Sequence, residues 1–331
     1  MKKIINQPEN IVNEMLNGIV KAHPNHVKRV EGFEVLVRAN APVAGKVALV
    51  SGGGSGHEPS HGGFVGTGML DGAVAGAVFT SPTPDQVYEA VKAVDGGKGV
   101  LLVIKNYTGD VLNFEMAAEM AQMDDITVKY VVVNDDVAVE NSLYTTGRRG
   151  VAGTIFVHKI AGALAEQGAD LDQVQAVAEK VIANVRSMGV ALSACTVPAA
   201  GKPGFELAEN EIEMGLGIHG EPGTHRTEIK PADELVDDLL EKILADIDYS
   251  DSEVAVLVNG LGGTPLMELY LMNRRVHEAL EAKGIKVYKT LVGNYMTSIE
   301  MAGASISLLK LDDEMKALLD APANTPALTQ Y

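Results

Sequence analysis

The run Val-Leu-Leu-Val-Ile at residues 100–104 has no polar member, so a strand built from it has no face to offer water. Residues 47–50, Val-Ala-Leu-Val, repeat the pattern, and residues 128–133 read as a third strand. Between them, Leu112, Met116 and Met120 recur at helical spacing within 111–123, and two further helices are expected over 151–167 and 171–186. Strands covered on both sides and alternating with helices are the signature of a parallel sheet between helical layers. The first half is therefore expected to be a three-layer α/β domain.

Near Gly189 the texture changes. Residues 190–196 and 211–218 read as strands with no helix between them, separated by a long turn holding Pro198, Gly201, Pro203 and Gly204. A helix over 232–246, a strand over 254–258, a helix over 266–282 and strands over 286–292 and 305–309 follow. Strand-to-strand connections mixed with helices predict a mixed-sheet α+β domain. A chain of 331 residues is long for one core, so two domains are expected, 1–187 and 188–331.

The formal charge of −17 argues against a nucleic-acid partner, because phosphate binding needs a basic surface. Cys195 is the only cysteine, which rules out a disulfide within the chain and suits a reducing compartment. No run approaches the roughly 20 apolar residues of a spanning helix, and the first residues lack the apolar core of a cleaved signal. The expectation is a cytoplasmic globular protein without membrane contact.

Two glycine-framed segments carry imidazoles. Residues 52–59 read Gly-Gly-Gly-Ser-Gly-His-Glu-Pro, and residues 217–223 read Gly-Ile-His-Gly-Glu-Pro-Gly. Glycine lets backbone bend sharply and approach a ligand closely, so two such segments predict a small-molecule site where the two halves meet. His57 to His61 matches H-E-x-x-H, yet that zinc motif needs both histidines on one helical face. Here glycines precede it and Pro59 interrupts it; a loop ending at Glu58 and a helix beginning at Pro59 are expected, with His57 off that helix. The glycine run is neither a Walker A loop, for want of Gly-Lys-Ser/Thr, nor a dinucleotide fingerprint. Lys105 and Asp110 follow the 100–104 strand, and ligands of parallel sheets sit beyond the carboxyl ends of strands. His57, Lys105 and Asp110 can therefore converge, with Asp110 beside His57 as base or orienting partner or as the N-cap of the next helix. A neutral imidazole is a competent nucleophile toward a carbonyl carbon, which makes His219 a candidate. His23, His26, His158, His225 and His277 read as structural or solvated; Arg148 and Arg149 read as an anion contact or a solvated helix entry.

Several segments, in order, resemble the dihydroxyacetone kinase family, at the dihydroxyacetone-binding subunits of its phosphoenolpyruvate-dependent bacterial members. They are residues 51–59, 79–85 (Phe-Thr-Ser-Pro-Thr-Pro-Asp), 99–110 ending Lys-Asn-Tyr-Thr-Gly-Asp, 141–150, 194–203, 215–223 and 259–266. The resemblance spans essentially the whole chain. It implies a phosphotransferase in which His219 holds dihydroxyacetone as a hemiaminal. It further implies that Gly54, Ser55, Gly56, His57, Lys105 and Asp110 bind the triose, and that His57 and Asp110 draw the proton from the attacking hydroxyl. It assigns no metal and no cofactor to this chain: ADP and magnesium belong to a helical partner subunit, recharged by a phosphotransferase-system donor. A homodimer is also implied. Two alternatives stand beside it: a related dihydroxyacetone-binding coactivator of a transcription regulator, and a carbonyl enzyme using Lys105 as a Schiff-base amine.

Overall fold

The computed structural model describes residues 2–142 and 145–331; Leu143 and Tyr144, inside the 141–150 segment, lie outside the described residues. The apolar run at 100–104 lies in a strand covered on both sides. In β5 (Val100–Lys105), Leu101 and Val103 join one hydrophobic cluster, while Val100, Leu102 and Ile104 join another, the period-two division of a strand. β5 pairs in parallel with β3 (Ala48–Ser55) and β6 (Val128–Val133), and β3 with β4 (Gly72–Val78). β2 (Val35–Arg38) and β1 (Val27–Arg29) extend this sheet antiparallel, giving the order β1-β2-β4-β3-β5-β6. Strands of three and four residues are too short to show a period in sequence.

The second sheet is mixed. β7 (Val185–Ala191), β8 (Glu211–Met214), β9 (His225–Glu228), β10 (Glu253–Gly260), β11 (Lys286–Gly293) and β12 (Gly303–Leu311) lie in the order β11-β10-β12-β7-β8-β9, and only β10 and β11 run parallel. The proposed line between 187 and 188 falls inside β7.

Helices organise the two sheets into five layers. α1 (Ile11–Ala22) packs against Leu36 and Ala75 on the inner face of the first sheet, and α2 (Pro84–Val94) and α3 (Thr108–Met123) pack with Val50, Leu102 and Ile104 on its outer face. α4 (Thr154–Glu166), α5 (Leu171–Asn184) and α8 (Asp313–Asp320) lie between the sheets, touching Leu101 and Val131 of the first and Leu257 and Leu309 of the second in one cluster. α6 (Ala232–Asp246) and α7 (Leu266–Ala282) cover the far face of the second sheet. Ile155, Phe156, Val157, Ile160 and Ala161 bury α4 all round, as a helix between two sheets requires. No helix among the described residues is long and apolar enough to cross a membrane.

Three local expectations need correction. The first glycine run is not a loop after a strand: β3 continues through it to Ser55. A Cβ at Gly54 would lie 2.6 Å from Thr80 N, so the missing side chains let neighbouring backbone pass close. No helix begins at Pro59; turns lead to one 3-10 turn at Gly62–Phe64. Tertiary pairing holds the preceding backbone, since Ile299 N–H donates to Gly56 O (2.7 Å) and Thr297 N–H to His57 O (3.2 Å). Asp110 is not an N-cap: α3 begins at Thr108, its cap position is Tyr107, and Asp110 sits in the first turn.

Candidate active site

Four chain segments meet at the carboxyl end of the first sheet. β3 delivers Gly54, Gly56 and His57; β5 ends on Lys105, followed by Tyr107 and the first turn of α3 with Asp110; Phe79 follows β4; and the 215–222 loop after β8 brings His219. Gly54, Phe79, Tyr107, Asp110 and His219 line a cavity of about 490 Å³.

Behind the His219 wall lies a second, fully buried imidazole, His57. His57 Nε2 lies 3.0 Å from His219 Nε2, with the rings edge to face. His57 Nδ1 is 2.7 Å from Thr297 O; a carbonyl only accepts, so Nδ1 carries the proton and Nε2 is left with a lone pair. His219 Nδ1 is 2.9 Å from Glu221 Oε1, and its backbone N–H donates to Glu221 Oε2 (3.0 Å). Both ring nitrogens of His219 thus face acceptors. Phe79 stacks on His57 at 5.2 Å and meets His219 edge to face, as does Tyr107 at 4.6 Å. Phe79 holds a φ of 57°, a conformation that costs a bulky residue about 1–3 kcal/mol and here turns its ring against both histidines.

Burial tunes these groups. It pushes the His57 imidazole well below its usual range, assisted by the charges of His219 and Lys105, so His57 is a neutral base. Lys105 is fully buried and held below the usual amine range by desolvation, against the pull of Asp110 and Glu221. Burial pushes Glu221 up, but His219 and Arg149 outweigh it and bring the carboxyl down to about 2. Burial, then the Glu221 charge, raises the Tyr107 hydroxyl well above its ordinary value.

Among the described residues, Lys105 Nζ, Asp110 Oδ1 and Tyr107 Oη are buried with no hydrogen-bond partner, and Lys105 Nζ is 4.0 Å from Asp110 Oδ2. An unpaired buried donor or acceptor costs about 1–3 kcal/mol. Tyr107 and Asp110 line the cavity and Lys105 stands beside Asp110, and such atoms mark where a ligand's polar groups fit. A Cβ on Gly53 would lie 2.8 Å from Lys105 Nζ, so only glycine leaves room for that amine.

The sequence-predicted residues divide. Gly54, His57, Asp110 and His219 converge, with Lys105 beside Asp110. Ser55 contributes backbone, because its hydroxyl donates to Gly76 O at 2.7 Å; the Gly56 N–H donates to the Glu58 carboxylate at 3.0 Å. His61 turns away from His57 to His158, Nδ1 to Nε2 at 3.0 Å, and no group of three potential metal ligands exists among the described residues. Arg149 is not solvated: it is fully buried, with its Nε donating to Asp136 (2.8 Å) and its Nη2 to Gly215 O (2.7 Å), which ties down the loop carrying His219. Sequence reasoning missed Glu221, Tyr107, Phe79 and Thr297. The first three stand inside segments already singled out, two residues from His219 or Lys105 or directly at the head of 79–85. Thr297 is 240 positions from His57 and left no local signal.

A family model described as the Dak1 domain matches residues 17–327. The PTS-dependent dihydroxyacetone kinase 1 dihydroxyacetone-binding subunit of Listeria innocua is 58% identical over 329 residues, 99% of this chain and 100% of the relative. The solved dihydroxyacetone kinase of C. freundii, in complex with AMP-PNP and Mg2+, is 35% identical with a TM-score of 0.92, over 99% of this chain and 61% of that one. A dihydroxyacetone kinase operon co-activator is 36% identical with a TM-score of 0.91, over 96% and 98% of the two chains.

Proposed function

The chain belongs to the Dak1 domain family, and from that premise we propose that it is the dihydroxyacetone-binding subunit of a phosphotransferase-system-dependent dihydroxyacetone kinase. The observation that carries the reading is the cluster of unpartnered polar atoms on Lys105, Asp110 and Tyr107 around the His57–His219 pair. A small polyhydroxy ketone offers a carbonyl to the imidazoles and hydroxyls to those atoms.

His219 is the nucleophile. It enters with a proton on each ring nitrogen, Nδ1–H on Glu221 and Nε2–H toward His57, and the Nε2 proton passes to the lone pair of His57 Nε2, 3.0 Å away. The freed Nε2 then bonds to the carbonyl carbon, and the C=O π pair moves to oxygen. His57, which burial keeps a poor holder of protons, returns the proton to that oxygen. The product is a hemiaminal whose ring is cationic, with Nδ1–H on the Glu221 carboxylate. His57 ends neutral and can next accept the proton of the terminal hydroxyl as phosphoryl transfer proceeds, with Asp110 as its carboxylate companion. The covalent link fixes that hydroxyl, the entropic share of the acceleration. Glycerol has no carbonyl and is rejected by chemistry rather than by shape.

The phosphoryl donor is carried by a partner chain with ADP and magnesium, and this chain works in the cytoplasm as a homodimer. The co-activator alternative draws on a relative at 36% identity, whereas a kinase subunit stands at 58%; the closer likeness supports the kinase reading. Carbon NMR of dihydroxyacetone labelled at its carbonyl tests the site: a tetrahedral signal is expected with the wild type and none with His219→Ala. A ketone signal in both refutes capture. Turnover with an ADP-bearing subunit and its phosphoryl donor then separates kinase subunit from co-activator.

A further inference from the structure

A second cavity of about 490 Å³ lies beneath α1, with Gly54 lining both it and the triose cavity. Its walls are apolar: Met15, Leu16 and Ile19 from one face of α1, Leu36 of β2, Ala75 of β4, and Ala327 near the C-terminus. Met15, Ile19 and Ala75 are only half-buried and Ala327 is exposed, so apolar surface there waits uncovered. Polar chemistry enters through Glu58, His61 and His23, the hydroxyls of Ser55 and Ser60 being already bonded to Gly76 O and Tyr295 O at 2.7 Å. Both Glu58 carboxyl oxygens accept from Gly56 N–H, at 3.0 and 3.2 Å. His61 is buried, with Nδ1 on His158, yet its Nε2 has no partner among the described residues. Neither lysine nor arginine lines the cavity.

We propose that this cavity is a second binding site, for a small neutral aliphatic molecule bearing one hydroxyl group, whose chain lies along Met15, Leu16 and Ile19 and whose hydroxyl meets His61 Nε2. A hydroxyl both donates and accepts, so it satisfies His61 whichever of the two bonded histidines carries the shared proton. A carboxylate or phosphate would find neither lysine nor arginine, only the imidazole of His23, and would face the Glu58 carboxyl. An ammonium would give up its hydration to a largely apolar lining, with the Glu58 carboxyl, which already accepts from Gly56 N–H, as its one anionic partner there. Pockets of this size and lining, with few convergent polar groups, are typical of small-molecule sites. The site goes beyond the kinase reading, and its test reads binding instead of turnover.

The full-length protein, labelled with carbon-13 at its methionine methyls, is titrated with 1-hexanol, and the Met15 signal is identified by Met15→Leu. A saturable shift of the Met15 methyl is expected. 1-Butanol should bind roughly fifteenfold more weakly, since each of the two lost methylenes costs about a factor of four. Hexanoate should leave the signal in place. Ala75→Phe, which fills the cavity, should abolish the shift; Ile19→Trp does the same from the opposite wall, should Ala75→Phe fail to fold. Absence of a saturable shift, equal response to hexanoate, or a shift that survives in the folded filled variants overturns the proposal.

Discussion

Replacing Glu221 by glutamine tests the covalent mechanism at one atom. Glu221 is 1% exposed, with a carboxylate oxygen 2.9 Å from His219 Nδ1. In the adduct that ring is fixed as a cation, whereas the free ring becomes neutral once its Nε2 proton leaves. Two opposite unit charges about 4 Å apart attract by about 4 kcal/mol at an effective dielectric of 20. A neutral amide oxygen in the same place keeps about 1 kcal/mol as an ordinary hydrogen bond. The difference, about 2–3 kcal/mol, corresponds to a loss of roughly 30- to 150-fold in adduct stability. The amide also lets its NH2 donate to a bare Nδ1, so that removing the Nε2 proton would leave an imidazolate and the nucleophile would not form. Glu221→Gln should therefore lower kcat/KM with dihydroxyacetone through a raised KM, and the labelled ketone should show its tetrahedral signal only at much higher protein concentration. A change below threefold, or a fall in kcat at unaltered KM, would mean that Glu221 shapes the loop without acting on the adduct.

His219→Ala should lose the tetrahedral signal yet retain measurable turnover, because hydrogen bonds to Lys105 and Asp110 still orient the ketone; His57→Ala or Asp110→Ala should cut turnover further, and the reverse order in steady-state assays would sink the role assignment. Gly54→Ala forces a methyl to within 2.6 Å of Thr80 N and 2.8 Å of Phe79 backbone, so β3 or the Phe79 turn must shift; triose binding by calorimetry should weaken at least tenfold. Burial lowers His158 from 6.5 to about 3; its unfolded state binds the proton first, so stability is lost as pH falls below about 6.5. Between pH 7 and pH 5 this one group removes about 2 kcal/mol, and urea melts should show the loss reduced in His158→Asn; identical pH slopes would refute the buried, neutral assignment.

The sequence made the centre of each sheet legible because those strands are uninterrupted and buried on both faces. The helices over 232–246 and 266–282 were equally plain from their apolar period. α1, β1, β2, β4, α2 and α8 went unread for different reasons. β1 and β2 are too short for a pattern, and β4 reads Gly-Ala-Val-Ala-Gly-Ala-Val, small residues that give little contrast between faces. The site residues Gly54, His57, Lys105, Asp110 and His219 stood in recognisable segments, but their surroundings did not. Thr297, which sets the tautomer of His57, and Arg149, which anchors the His219 loop, act through contacts that exist only once distant strands have met. The helix expected at Pro59 failed for the same reason: residues 297–299 pin Gly56 and His57 from across the molecule, and the chain passes Pro59 in turns.

The layer of α4, α5 and α8 between the sheets has a dynamic consequence. A protein whose two halves meet across a mobile cleft can open and shut like jaws. Here the material between the halves is their common core, and parting them would strip apolar surface from both at once. The triose cavity is thus framed by parts that cannot separate without unfolding, and access to it falls to the surface segments around Phe79 and His219. Calorimetry should accordingly record one melting transition for the whole chain, and a fragment cut at 187 should not fold by itself.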